Sequence, residues 1–363
     1  MCGAATNTSE GRAEHDHHRQ HAGRLHAERL IVDLHCDINL DVLRSRARGA
    51  RRVIEERYLP RWRQVALDVV VLNSIPKIGP RAHPYVTTPV HNFLAMLDAI
   101  RGEIAESPEH LTLVETAEDL HAVRTSGRVG IVIGVEGAEA IGSELAFLRC
   151  FHALGLRVLT LTWHQRNLVG DGVAEPSDAG LSHFGREVVD EANRLGIVID
   201  VSHASPATVR DVVERSSAPI VASHSNARAI HDHERNLTDD QLRAIAATGG
   251  VIGAVFIGRF TGQDPTIDDL VRHVLHLVRV AGPGAVALGP DYVDGAHDLI
   301  IDARRVAGPN QPVDEVDIPF VSGLEDVARI PDLTAALLRA GLDDEQVAGI
   351  LGENAARVLQ QVL

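Results

Sequence analysis

Short runs of branched apolar residues recur along this chain, and most of them end in a histidine or a carboxylate. The runs lie at residues 29–37, 64–74, 129–136, 158–163, 197–203, 219–224, 251–256 and 285–291. Each is short and nearly continuous in its apolar character, which predicts a strand buried on both faces. Between them lie segments with helical signals. Pro89 opens one at 89–106, at a first turn where a missing N–H does no harm. Others lie at 144–154, 183–195, 206–215 and 267–280, and Thr238 caps one that runs to Ala247, with Gly249 and Gly250 as its stop. Eight buried strands alternating with helices predict a parallel sheet covered by helices. Polar strand ends fit an α/β (β/α)8 TIM-like barrel, whose sites lie at the C-terminal ends of the strands. Helices from about residue 324 onward are extra to it. An open doubly wound sheet is the alternative. No glycine-rich phosphate loop follows the first strand, which weighs against its nucleotide-binding form.

Of 363 residues, 45% are hydrophobic but only 3% aromatic, so the core must be filled by Val, Leu, Ile and Ala. A net charge of −15 argues against nucleic acid or an anionic membrane as partner, since both select basic surfaces. Cys2, Cys36 and Cys150 are too far apart for a cysteine zinc site and odd in number for a disulfide framework. Residues 1–27 are polar and lack the apolar centre of a signal peptide, so a cytoplasmic location is expected. They read as a flexible, solvated tail, although His15, His17, His18, His21 and His26 are metal-competent. Residues 28–363 form the barrel domain in this reading. The basic stretch 44–63 reads as surface helix and loop, and 75–89, rich in Pro and Gly, as a long loop.

His35 and Asp37 stand two apart at the end of the first strand, so they project to the same face, with Cys36 turned to the other as a packing residue. At one strand this pair is an ordinary hydrogen-bonded histidine as readily as a metal site. The repetition decides between them, because Glu136, His203, His224 and Asp291 also end strands. Three His and three carboxylates exceed what one tetrahedral zinc needs and fit two divalent ions sharing a carboxylate. In this reading Glu136 bridges one ion held by His35 and Asp37 and another held by His203 and His224. A hydroxide held between the ions would attack a polarised carbonyl, and Asp291 would carry protons to the leaving amine. The class is metal-assisted hydrolysis. Neither a G-x-S-x-G elbow nor an HExxH helix is present.

The stretches VDLHCD, GVEGAEAI, LTLTW, GIVIDVSHAS, SHSNARAI, RNLTDD, LGPDYVDG and GLEDVARIPDLTAALL, with the trailing GENAARVL, resemble the membrane (renal) dipeptidase family. This is a group of di-zinc peptidases within the amidohydrolase superfamily. The resemblance extends from about residue 30 to the C-terminus and implies two zinc ions bridged at Glu136. It also implies hydrolysis of dipeptides or similar small amides, often with a D-residue on the C-terminal side. By motif, His35, Asp37, Glu136, His203 and His224 match the metal ligands. Arg235 matches an arginine that grips the substrate carboxylate, and Asp291 the acid/base aspartate, with Asp294 close by. The family's dimers make a homodimer an expectation of the resemblance alone. Two departures stand out. Trp163 occupies the place of a family histidine that contacts substrate, and His164 follows it as the candidate for that substrate-binding and catalytic role. The stretch 295–319 matches poorly and reads as a lid. Two other functions stay open: a related hydrolase of N-acyl amino acids or lactones, and a barrel without turnover.

Overall fold

The computed structural model describes residues 9–77, 88–293 and 319–363, with side chains from residue 16 onward. Asp294 and almost all of the 295–319 stretch lie outside the described residues. Among the described residues nine strands form one all-parallel sheet: β1 (Val32–Cys36), β2 (Val69–Leu72), β3 (Leu111–Leu113), β4 (Val129–Glu136) and β5 (Leu156–Thr160), then β6 (Val198–Asp200), β7 (Val221–Ala222), β8 (Val251–Ala254) and β9 (Val286–Leu288). Eight of them follow the order β1-β2-β4-β5-β6-β7-β8-β9, and β3 pairs only with the start of β4. Beyond β9 the chain returns to β1: Asp37 N donates to Tyr292 O at 2.9 Å and Asp291 N to His35 O at 3.1 Å. The circuit of eight parallel strands is thereby nearly closed, a (β/α)8 barrel as the strand–helix alternation predicts.

Alternation along the strands separates two packing layers. Val32, Leu34, Val69, Val71, Val132, Val158, Val198, Val221 and Val251 share one cluster with Ala355, Ala356, Val358 and Leu359 of the last helix. These are the inward positions, with the helix Asn354–Val362 plugging the end away from the site. Their neighbours Val70, Ile131, Ile133, Ile199, Ile220 and Ile252 pack outward with the surrounding helices. Valine fills the narrow interior and longer side chains reach the helices. At β1 the ladder shifts register between Asp33 and Cys36. Cys36 accordingly joins the outer layer, leaving His35 and Asp37 to share the inner face.

Local chemistry sets the helix starts. Thr238 and Gln241 form a reciprocal capping box, and the Ser182 and Ser205 hydroxyls each cap a helix, at His183–Leu195 and Pro206–Arg215. Among the described residues no helix is long and apolar enough to cross a membrane.

The flexible tail expected over residues 1–27 is corrected for its described part, residues 9–27. Ser9–Glu28 is a helix, and its second half packs on the helix Ile330–Arg339. Ala22, Leu25 and His26 are buried there. Arg19 pairs with Asp332 at 2.6 Å and His21 with Asp344 at 3.0 Å. So few apolar residues gave no visible stripe, and docking rests on polar contacts specified at the other end of the chain. His26 Nδ1 donates to Val65 O at 2.8 Å, and its Nε2 lies 2.9 Å from Thr334 Oγ1. Burial holds this imidazole below its ordinary pKa of 6.5, with the bond to Val65 opposing. Because folding favours the neutral ring, its contribution is complete above pH 6.5 and falls as pH drops through that value towards the lowered folded pKa. His26→Ala is expected to cost about 2 kcal/mol in urea unfolding at about pH 7.5, and less at about pH 5.5. An equal cost at both pH values would remove His26 as a neutral buried strut.

Candidate metal centre and substrate cleft

Six polar side chains converge at the C-terminal end of the barrel. His35 and Asp37 leave the end of β1, and Glu136 is the last residue of β4. His203, His224 and Asp291 stand just beyond β6, β7 and β9. His203 and Asp291 both have φ of 65°, a left-handed conformation uncommon for such residues. It turns their side chains back over the barrel mouth, where an extended strand end would not place them.

Glu136 is the centre of the group. Its Oε1 lies 2.8 Å from His203 Nε2, 3.4 Å from His224 Nε2 and 3.7 Å from His35 Nε2. His35 Nε2 is also 3.5 Å from Asp37 Oδ1 and 3.9 Å from Asp291 Oδ1. His203 Nε2 and His224 Nε2 approach to 2.9 Å. All six are buried or nearly so, yet His35 Nε2, Asp37 Oδ1 and Glu136 Oε2 have no hydrogen-bond partner. Orphaned buried polar atoms aimed at one space, with nitrogen and oxygen donors only, fit a zinc-type divalent cation.

The electrostatics point the same way. Burial pushes the Asp37 carboxyl up to about 8 and the Asp291 carboxyl up to about 7. It also raises Glu136 well above the usual carboxylate range, with Asp37 adding to the effect. Burial holds His203 and His224 well below the usual imidazole range. The protein alone thus favours neutral groups here, and a divalent cation would invert that preference.

Two triads have ligand atoms close enough to share one ion: Glu136–His203–His224 and His35–Asp37–Asp291. A third, His35–Asp200–His224, meets the same limit, its ligand atoms lying within 4.8 Å of one another. Its Asp200 oxygens are already taken, however, by Thr160 Oγ1 at 2.6 Å, Ser223 Oγ at 2.7 Å and the backbone N–H groups of Ser202 and Ser223, both at 2.9 Å. Asp200 is therefore an acceptor behind the candidate ligands and not one of them in its present bonding. The sequence reading missed Asp200 and Ser223, although a carboxylate inside an otherwise apolar buried strand was a visible signal for the first.

A cleft of about 390 Å3, counting its open mouth, lies over the group, with Asp37, Glu136, His164, His203 and Asp291 on its wall. His164 does face it, with its ring edge-on to His203 at 4.5 Å between centroids. Trp163 also borders the cleft while packing against Leu40, Ile75 and Met96. Arg259 and Phe260, not singled out from the sequence, complete the rim. Arg235 is brought to the same end of the barrel but borders an adjoining smaller cavity, which shares His203 as a wall. Its guanidinium is buried, donates from Nη2 to His224 O at 3.2 Å and lies 5.3 Å from the Phe260 ring centre. Nε has no partner. Burial pulls its pKa down to about 10 against the opposing carboxylates of Asp291, Glu136 and Asp200. A buried cation with an unused donor beside an acidic cluster can grip an anionic group.

Comparison with known proteins agrees with this geometry. The sequence profile of the membrane dipeptidase family, peptidase family M19, matches residues 19–306 and 315–363. An uncharacterised dipeptidase of Schizosaccharomyces pombe is 36% identical over 282 residues, which is 75% of this chain. The match covers 62% of that relative, so the chain spans less than two thirds of its length. An amidohydrolase of Pseudomonas aeruginosa superposes with a TM-score of 0.80 at 27% identity, over 94% of this chain and 98% of that one. A metallopeptidase of Rhodobacter sphaeroides, solved with a phosphinate mimic of the dipeptide L-Ala-D-Ala, gives 0.78 at 26% identity, over 92% and 99%. This chain belongs to the membrane dipeptidase family.

Proposed function

We propose that the protein is a binuclear zinc dipeptidase. The observation that carries the reading is Glu136: one carboxylate oxygen sits among three imidazole nitrogens while the other is buried without a partner. A carboxylate among ligands of both sets, with a second oxygen unused, could serve two cations. His35 and Asp37 would hold one ion, His203 and His224 the other, with Glu136 between them. When bound, the ions supply a Lewis acid for the scissile carbonyl and an acidified water as nucleophile.

The remaining steps belong to the chain's own side chains. Arg235 donates to the C-terminal carboxylate of the dipeptide and fixes which amide reaches the cluster. His164, on the cleft wall, donates to the carbonyl oxygen as negative charge develops there. Asp291 takes the nucleophile's proton at a carboxyl oxygen and returns it to the departing amine. Trp163, Ile75 and Phe260 give the cleft apolar walls that limit water. The Rhodobacter sphaeroides metallopeptidase binds a mimic of an L,D-dipeptide, which makes dipeptides with a C-terminal D-residue the substrates to try beside L,L-dipeptides.

The test is turnover of an L,L- and L,D-dipeptide panel by zinc-loaded protein. Hydrolysis of dipeptides is expected. Hydrolysis confined to N-acyl amino acids or lactones would move the substrate, and no hydrolysis at all would leave a barrel without turnover. Glu136→Gln should lose one or both ions and at least about 100-fold in kcat/KM, since a neutral amide bridges two cations poorly. Full metal content with unchanged activity would end the bridging assignment. Arg235→Ala should raise KM about 100-fold for free dipeptides with metal content unchanged, and far less for C-terminally amidated ones. Equal losses on both substrates would show that Arg235 does not read the carboxylate.

A further inference from the structure

We propose that Ser223 is a positioning residue whose single hydroxyl sets the tautomer of one histidine from each half of the metal-ligand set. The inference rests on the binuclear reading above and concerns what orients its ligands. A serine hydroxyl has one proton to give and two lone pairs to receive with. Ser223 Oγ lies 2.7 Å from Asp200 Oδ2, 2.8 Å from His224 Nδ1, 3.0 Å from His35 Nδ1 and 3.3 Å from Ser202 Oγ.

Asp200 decides the direction of these bonds. As a carboxylate it only accepts, and it already receives Thr160 Oγ1–H and two backbone N–H groups. The Ser223 proton therefore goes to Asp200, and its lone pairs are left for the Nδ1–H groups of His35 and His224, both nearer than Ser202 Oγ. Each ring is left with its Nε2 lone pair free, and both Nε2 atoms face Glu136 Oε1. Asn73 Nδ2 lies 3.0 Å from His35 Nδ1, and Asn73 Oδ1 has no partner. Exchanging the two ends of that amide lets its oxygen accept from the same N–H.

Packing holds the hydroxyl in place. Ser223 is buried, and neither Gly253 nor Gly289 has room for a Cβ, which would overlap the Ser223 carbonyl oxygen. The His35 and His224 rings lie side by side, 3.7 Å between centroids, with both Nδ1 atoms towards Ser223. His203 has no such support, and its Nδ1 is without a partner. Second-layer hydrogen bonds of this kind usually serve one ligand each; here one atom serves two.

The test measures zinc affinity at both sites by chelator competition, and imidazole tautomers by nitrogen-15 NMR. In the wild-type protein without metal, His35 and His224 should both carry the proton on Nδ1. Finding it on Nε2 in either ring would overturn the proposal. Ser223→Ala should weaken both zinc ions by about 10–100-fold. Asp200→Asn keeps the shape but can donate to Ser223, so the hydroxyl must turn towards one histidine; it should weaken binding to a similar degree. Two tightly bound ions in the wild type with unchanged affinity in both variants would overturn the role of Ser223 and leave the binuclear reading standing. A wild type that cannot bind two ions would overturn the binuclear reading itself.

Discussion

Glu136 Oε1 lies within 3.7 Å of three imidazole nitrogens inside a buried acidic group, and the rest of the site follows from that crowding. Carboxylates this close and this dry resist ionising together, and the neighbouring imidazoles resist taking protons. Such a group is costly unless positive charge enters it. Part of that charge is built in as Arg235, whose buried guanidinium faces Asp291 and Glu136 electrostatically. The larger part fits divalent cations, which would satisfy the atoms that have no hydrogen-bond partner. Stability and function are therefore in tension at the barrel mouth and in agreement once the cations are bound.

The barrel makes the crowding possible. Valine at the inward positions keeps the interior narrow, so residues just past the strand ends meet within a few ångströms. The register shift in β1 brings His35 and Asp37 to one face, and the left-handed turns at His203 and Asp291 do the same for two later strands. Behind the ligands, Thr160, Asp200 and Ser223 tie the ends of β5, β6 and β7 together through hydrogen bonds. Loops alone would give no such rigidity.

Local signals made much of this legible. The helices Pro89–Glu106, His183–Leu195 and Pro206–Arg215 have the limits read from the sequence. The 219–224 run shortens to Val221–Ala222, and His224 stands two residues beyond the ladder, in the site. β3, three residues long, has too little pattern to stand out. The N-terminal helix was invisible because its docking surface is formed by the helix Ile330–Arg339. Candidate ligands could be read from strand ends, but the hydrogen bonds that Asp200 and Ser223 make behind them could not. Those bonds run between segments far apart in the chain, and no spacing encodes them. The comparisons establish the family, while the chemistry of each site residue rests on its geometry.

The most direct measurement is anomalous diffraction at the zinc edge from crystals of the zinc-loaded protein. Two peaks are predicted, one beside His35 and Asp37 and the other beside His203 and His224, with one Glu136 carboxylate oxygen turned to each. A single peak, or peaks that leave Glu136 uncoordinated, would contradict the shared-carboxylate centre on which the functional account stands.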